Sequence, residues 1–499
     1  MRLSKQNIIH ILIIILGIIF ILIPAFHENI WFDESYSVAM SKHNFIDIWQ
    51  IGGNDVHPVL YYWILKLINI VFGYNIIAYR LFSALCIAIL GILGYTHIRK
   101  DFGDKVGLFF SFLVYFIPAM NTYAQEIRMY SFACLVVFLM CIYAYRFYKS
   151  IKEKDGKVIK NLIFFGIFSI ASCYTHYYAL ATAGFVNLLL LIYIIKNIKE
   201  NHKVLIKFLI LGIIHILLYI PWLKFMIGQV NHVNNGFWII LDKVRTPVEM
   251  TIFQFKRQLD TNFEFNIHTI IALCSVILLF IYLVYLVIKA KKNKKSLKPA
   301  LLSFGVYFGI ILIVYIISKI KSPILFARYL MVITGLYIFA ISYIMQFEKR
   351  KWFTFAVCVI VLLLGTFSNF ENILINYAPD NMKFVDYIKE EIKEDDILLY
   401  SNIGNGGVIA AYFPNNKQYF YNGAHWDVEE AYKAYGPGME TVESYDVLKD
   451  YKGRIWLIDS ENMGLWDEIP KENITVLKDA KRFDTKYHDY IYNIMLVEK

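Results

Sequence analysis

The sequence predicts an α-helical polytopic membrane protein of about eleven spans, followed by a C-terminal α/β domain, and three observations predict it. Of 499 residues, 58% are hydrophobic and 17% aromatic, and apolar runs near the length that crosses hydrocarbon recur as far as residue 370. Charge is divided along the chain. Residues 371–499 carry 24 Asp and Glu against 14 Lys and Arg, so the overall +10 conceals +20 on residues 1–370 and −10 on the remainder. The basic excess sits in short segments between apolar runs, as the positive-inside rule requires. It therefore reports orientation, and no nucleic-acid partner is expected.

The elements follow in order. Met1-Arg2-Leu3-Ser4-Lys5 precedes an apolar run over 8–26. That run is too long for a signal peptide and no small-x-small cleavage site follows it, so it reads as an uncleaved anchor with a cytoplasmic N-terminus. Residues 27–75 form the first outer loop. Within it, 58–73 is too short and too rich in Tyr, Trp and Lys to span, and reads as an interfacial helix. Spans are expected at 76–98, 105–120, 130–148, 161–174, 179–196, 203–220, 266–289, 299–318, 328–346 and 352–370. Their basic connections, 146–160, 196–207, 289–298 and 348–351, all fall on the cytoplasmic side under one alternation. The reading is a multi-pass plasma-membrane protein: a membrane module over 1–370 and an extracytoplasmic α/β domain over 371–499.

In that last domain, strands are expected at 396–400, 418–421, 454–459, 473–477 and 490–497, with helices at 382–393 and 442–450. Gly404-x-Gly406-Gly407 lacks the full dinucleotide fingerprint, and no nucleotide is read from it. The six cysteines lie in or beside apolar runs without metal-type spacing, and are read as packing residues.

The same threading gathers the unusual polar motifs on the outer side. They are Asp33-Glu34, Asp55-Val56-His57-Pro58, Gln125-Glu126-Ile127-Arg128-Met129-Tyr130, Thr175-His176-Tyr177-Tyr178, the loop from Pro221 to about Asn266, and Ser322-Pro323 to Arg328-Tyr329. Carboxylates at a membrane surface are costly to desolvate, so a chemical centre at that interface is the expectation.

These residues resemble a family. Asp-Glu after the first span, then His57-Pro-x-Leu-Tyr61-Tyr62-Trp63, then Ala78-Tyr79-Arg80-Leu81-Phe82-Ser83 looks like the multi-span lipid-dependent glycosyltransferases of the GT-C class. The resemblance is nearest the family-39 branch, with its protein O-mannosyltransferases and aminoarabinose transferases. Gln-Glu-x-Arg-x-Tyr-Ser, Thr-His-Tyr-Tyr, Phe237-Trp238-Ile239 and Phe326-Ala327-Arg328-Tyr329-Leu330 are similar to later motifs of that branch. The resemblance covers most of 1–370. It implies transfer of a sugar from a polyprenyl-phosphate donor to an envelope glycan, lipid or protein acceptor on the outer face, with inversion.

The chemistry assigns roles. Asp33 is the candidate base toward the acceptor, and Glu34 is the candidate to position the acceptor or support Asp33, although Asp-Glu-Ser equally suits a helix start. A leaving lipid phosphate calls for fixed cations, for which Arg128, Arg328 and Arg80 are the candidates with His57 beside them; interface snorkelling is the alternative. Tyr61, Tyr62, Glu126, Tyr130, His176, Tyr177 and Trp238 are candidates for substrate contact, the aromatics also suiting a membrane belt. Asp55, His176 and His232 are the candidates for a divalent metal ion bracing the loops, against hydrogen-bonded interfacial histidines. Rival readings are a flippase or transporter of lipid-linked glycans, a polymerase or ligase, and a non-enzymatic envelope assembly protein. The first would need mid-membrane charges and repeat symmetry that the chain does not display.

Overall fold

The computed structural model describes residues 4–235, 238–256, 266–426 and 428–499. The chain forms two compact units. The first comprises Met1–Ala25, Val56–Tyr61 and Arg80–Phe370; the second comprises Phe26–Asp55, Tyr62–Tyr79 and Glu371–Lys499. Most of the first loop, 27–75, therefore belongs to the same compact unit as the hydrophilic C-terminal segment.

The first unit is helical. Among the described residues, nine helices are long and apolar enough to cross a membrane: Lys5–Ala25, Ile76–Phe102, Tyr130–Glu153, Tyr177–Lys196, Ile198–Asn231, Ile267–Lys292, Lys298–Ile320, Ala327–Met345 and Lys351–Asn376. Many carry large exposed apolar side chains, such as Ile213, Ile216 and Leu217, or Ile277, Leu278 and Phe280. Exposure to water would cost roughly 25 cal/mol per Å² of that surface, so these faces belong in lipid.

The two other expected spans are shorter helices, Asp104–Phe116 of 13 residues and Val158–Cys173 of 16. The former ends because Ile117 is extended and Pro118 begins a separate helix, Pro118–Tyr123. Part of the loop expected from Pro221 onward is instead helical: the helical stretch Ile198–Asn235, kinked at Asn201, continues through Pro221, and a further helix follows at Arg245–Ile252. In lipid a helix tolerates an internal proline better than in water, because neighbouring groups satisfy the freed carbonyl.

Helices of this unit approach closely around Tyr115. A Cβ at Gly17 would lie 2.7 Å from the Tyr115 Cβ, so only glycine admits that ring. The Tyr115 hydroxyl donates to the Ala88 carbonyl at 2.9 Å. In the connection after Met345, the buried Glu348 carboxylate accepts from Arg350 Nη2 at 2.9 Å, Lys289 Nζ at 3.4 Å and the Lys349 and Arg350 amides at 2.9 Å each.

The second unit is built on a six-stranded sheet of order β3-β2-β1-β4-β6-β5. Its strands are β1 (Ile397–Tyr400), β2 (Lys417–Tyr421), β3 (Met439–Val442), β4 (Arg454–Asp459), β5 (Thr475–Asp484) and β6 (Ile491–Glu498). β1 to β4 are mutually parallel, and β6 runs antiparallel to both β4 and β5. All four residues of β1 are buried, the continuous apolar run expected of a parallel strand covered on both faces.

Five strands match sequence expectation in place, with β5 extending well beyond 473–477. The helix expected over 442–450 is instead the end of β3 followed by a 3₁₀ turn, Tyr445–Leu448. The Gly404 region is a helix, Ile403–Tyr412, capped by Asn402, whose side chain accepts from the Asn405 amide at 3.1 Å.

Candidate active site

Asp33 and Glu34 open a short helix of the second unit, Phe32–Met40. Asp33 is half-buried, whereas Glu34 is fully buried. The Glu34 carboxylate accepts from the Trp31 amide at 3.4 Å and from the Tyr487 hydroxyl at 2.9 Å. The first bond is half of a capping box, since an indole cannot return it. The Phe32 amide donates to the Tyr490 hydroxyl at 3.1 Å, and Ser35 pairs with the Tyr435 hydroxyl at 2.8 Å. Phe32 also packs on the Gly-rich helix. A Cβ at Gly407 would fall 2.9 Å from the Phe32 ring, so this glycine allows close packing rather than phosphate contact. Tyr62 is buried in the same unit, its ring 5.6 Å from that of Tyr36.

The first unit gathers most of the other candidates. The turn between the Pro118–Tyr123 and Tyr130–Glu153 helices is irregular and buried, so its carbonyls need partners. Arg80, fully buried, donates to the Gln125 carbonyl, and Ser83 donates to the Glu126 carbonyl at 2.6 Å. Arg80 thus braces the turn that carries Arg128. Arg128 is itself only 4% exposed, and its Nη2 lies 3.2 Å from His57 Nε2. A guanidinium only donates, so Nε2 accepts. The Leu60 amide donates to the Tyr174 carbonyl at 3.0 Å, which ties the His57 segment to the His176 turn.

His176 caps the Tyr177–Lys196 helix, its Nδ1 accepting from the Tyr178 amide at 3.0 Å. Its ring lies 5.8 Å from Tyr130 and 5.0 Å from Tyr329. Burial, reinforced by His57 and Arg128, pushes its pKa down to about 3. A neutral ring whose Nδ1 accepts must carry its proton on Nε2, leaving no lone pair for a cation. His176 does not fit a metal ligand.

Among the described residues, no group of three or more His, Cys, Asp or Glu could hold a metal ion. Asp55 lies in the second unit and His176 in the first. The side chain of His232 lies outside the described residues, as does Phe237.

Arg328 follows Tyr178's carbonyl partner, Ile324, by four residues, the Tyr178 hydroxyl bond measuring 2.9 Å. Its guanidinium stacks 5.6 Å over the Phe326 ring, and it acts electrostatically, with Glu126, on the Tyr123 hydroxyl. Trp238, 63% exposed, meets Phe326 edge-on at 5.0 Å. The sequence reading missed Tyr123, Ser83 and Tyr329 as members of this cluster. Tyr177 donates to Gln229 and accepts from the Trp222 indole at 3.3 Å, and the buried Tyr61 faces Phe82 at 6.1 Å.

A cavity of about 920 Å³ lies between the Ile267–Lys292 and Lys298–Ile320 helices. Its walls are aliphatic and aromatic, and Ile277, Phe280, Phe308 and Tyr315 are also exposed, so it is open. Polar lining is confined to few residues, among them Lys243, Lys319 and the Gln254–Tyr307 pair at 2.8 Å. It reaches Leu325, three residues before Arg328. Its lining residues on the second of these helices run from Leu301 to Lys319, 18 positions apart, which is roughly 27 Å of helix. That is nearly the thickness of the hydrocarbon core.

Comparison with known proteins gives this arrangement a context. Residues 56–225 match the family described as dolichyl-phosphate-mannose-protein mannosyltransferase. The matched segment contains His57, Arg80, Glu126, Arg128, Tyr130 and His176. No curated protein sequence matches the chain. Among solved structures, ArnT from Cupriavidus metallidurans bound to undecaprenyl phosphate is similar over 98% of both chains, at 12% identity and a TM-score of 0.61. The apo state of the same protein matches over 98% of both chains at 12% identity, with a TM-score of 0.49. The oligosaccharyltransferase of Archaeoglobus fulgidus, in complex with zinc and sulfate, matches over 96% of this chain and 72% of its own at 10% identity, also with a TM-score of 0.49. The resemblance to multi-span glycosyltransferases of the GT-C class is borne out by the family match and, for the fold, by the first of these structures.

Proposed function

We propose that this chain, whose family and fold neighbours are glycosyltransferases, moves a glycosyl group from a polyprenyl-phosphate donor to an envelope glycan, lipid or protein acceptor on the outer face of the membrane. The observation that carries the reading is the buried Arg128–His57 pair with Arg328, in a unit that also holds a large apolar cavity reaching Leu325. Fixed cations suit a lipid phosphate, and an open apolar slot about a membrane deep suits its tail. The cytoplasmic N-terminus and extracytoplasmic second unit rest on the distribution of Lys and Arg.

In this reading the acceptor oxygen attacks the anomeric carbon while the Asp33 carboxylate takes its proton. The bond between the anomeric carbon and the phosphate oxygen breaks, and both its electrons leave with the lipid phosphate. One displacement inverts the configuration. Arg128 and Arg328 stabilise the charge that grows on the phosphate, and because they are held before the reaction they need no reorganisation. Of the acidic pair, Asp33 is the residue that is only half-buried, which suits a base that must meet an acceptor. Glu34, fully buried and bonded twice, supports the helix that carries it.

The test is transfer from a panel of radiolabelled polyprenyl-phosphate sugars in membranes holding the wild type or Asp33→Asn. Transfer by the wild type that is lost in a folded Asp33→Asn supports the reading, and the active donor names the sugar. Equal transfer by both proteins removes Asp33 as the base, and no transfer with any donor removes the reading itself.

A further inference from the structure

The turn joining β5 to β6, residues 485–490, is built to hold one place in the second unit. Three of its side chains meet three residues at the start of the Asp33 helix. The Tyr487 hydroxyl donates to Glu34 at 2.9 Å, and the Tyr490 hydroxyl accepts from the Phe32 amide at 3.1 Å. The His488 ring stacks on Trp31 at 4.5 Å with 7° between planes. Asp33 lies within this trio of gripped residues.

The turn is itself held. The Thr485 amide donates to the Tyr490 carbonyl at 2.9 Å, and the Tyr490 amide to the Thr485 hydroxyl at 3.1 Å. Asn381 Oδ1 accepts the Lys486 and Tyr487 amides at 3.0 and 3.1 Å, while its Nδ2 donates to the Ile375 carbonyl at 2.7 Å. His488 and Asp489 both adopt left-handed backbone, with φ of 60° and 52°. Neither is glycine, so the conformation carries a cost that the surrounding contacts must offset. A loop needed only to join two strands has cheaper solutions.

We propose that the 485–490 turn is a positioning clasp for Asp33, and that Tyr487 is its principal residue, acting through Glu34. The clasp rests on the reading of Asp33 as the base. A carboxylate at a helix start swings with its first turn, and a displacement near 1 Å is enough to cost two orders of magnitude in rate. Glu34 bonded to both Trp31 and Tyr487 pins that first turn from inside.

Tyr487→Phe removes one oxygen and keeps the ring against His27, 5.3 Å away. The experiment uses the full chain in lipid nanodiscs with two readouts. Hydrogen exchange over residues 30–40 is expected to rise at least about tenfold in Tyr487→Phe, with the transmembrane helices unchanged; equal exchange in both proteins overturns the clasp. This readout does not depend on catalysis, so it decides even if the wild type transfers no sugar and the proposed function falls. In transfer kinetics, Tyr487→Phe is expected to lower kcat about ten- to hundredfold, the range for a hydrogen bond to a charged group, with donor KM unchanged. The Glu34→Gln/Tyr487→Phe double variant should then be no slower than Glu34→Gln. Losses that multiply in the double variant would show that Tyr487 does not act through Glu34.

Discussion

Acidification should destabilise this protein through His176. An ordinary histidine titrates near 6.5, and in the folded chain His176 is held down to about 3 by burial and by the nearby His57 and Arg128. Between those values the unfolded chain binds a proton that the folded chain refuses. The contribution is therefore fully present above about pH 6.5 and is lost as pH falls, at about 1.4 kcal/mol per unit, until the folded ring also protonates near pH 3. From pH 7 to pH 5 the loss is about 2 kcal/mol.

His176→Asn isolates this term. Its side-chain oxygen still accepts the Tyr178 amide and caps the helix, but it does not titrate. The assay is the apparent unfolding midpoint of purified full-length protein in nanodiscs at pH 7, 6 and 5, wild type against variant. The wild type should lose about 2 kcal/mol more than the variant across that range. Parallel pH dependences would refute the reasoning, because they would mean that His176 accepts its proton in the folded state as readily as in water. The expected result also bears on mechanism: a ring that stays neutral to pH 5 is no general acid at physiological pH.

Three further outcomes follow from the same geometry. Arg128→Ala should lower kcat about a hundred- to thousandfold, the loss typical of one preorganised oxyanion contact, and Arg128→Lys should recover only part of it, because an ammonium cannot reproduce the fork that reaches His57. Single-turnover transfer assays would check this, and full activity in Arg128→Lys would remove the geometric requirement. Ile311→Trp, which narrows the apolar cavity, should raise KM severalfold for a full-length prenyl donor and leave kcat and a short-chain donor unaffected; equal effects on both donors would place the tail elsewhere. Glu348→Gln should destabilise the folded chain by roughly 1–3 kcal/mol at pH 7. Arg350 above all holds the Glu348 carboxyl down to about 2, so the contribution is present above about pH 4.5 and lost as pH falls through 2; a thermal-shift gap between wild type and variant that persists unchanged at pH 2 would contradict it.

What was legible in this sequence followed contrast. In residues 1–370 a polar residue stands out against isoleucine and leucine, and each needs a partner to be tolerated there. His57, Arg128 and His176 were each readable as outer-face candidates for that reason, although in different roles, and their three separate segments meet in the structure. Arg80 was equally visible and its role was not, because binding a phosphate and bracing a buried carbonyl call for the same guanidinium. In residues 371–499 that contrast is missing. Tyr487 pairs with Glu34 across 453 residues, and a tyrosine in a polar turn gives no sign of so distant a partner. Gly406 and Gly407 were read only as part of an incomplete dinucleotide fingerprint, and here they let the Tyr400 and Phe32 rings reach a helix backbone.

The consequence reaches past prediction. Residues 26–55 and 62–79 share one compact unit with 371–499. The Tyr377, Tyr412, Tyr487 and Tyr490 hydroxyls pair with groups of Phe26, Ile30, Glu34 and Phe32. A chain cut after residue 370 would therefore lose the partners of the Asp33 helix together with the sheet. Inactivity of such a truncation would not show that the sheet binds acceptor, and point changes in the 485–490 turn are needed to separate the two roles.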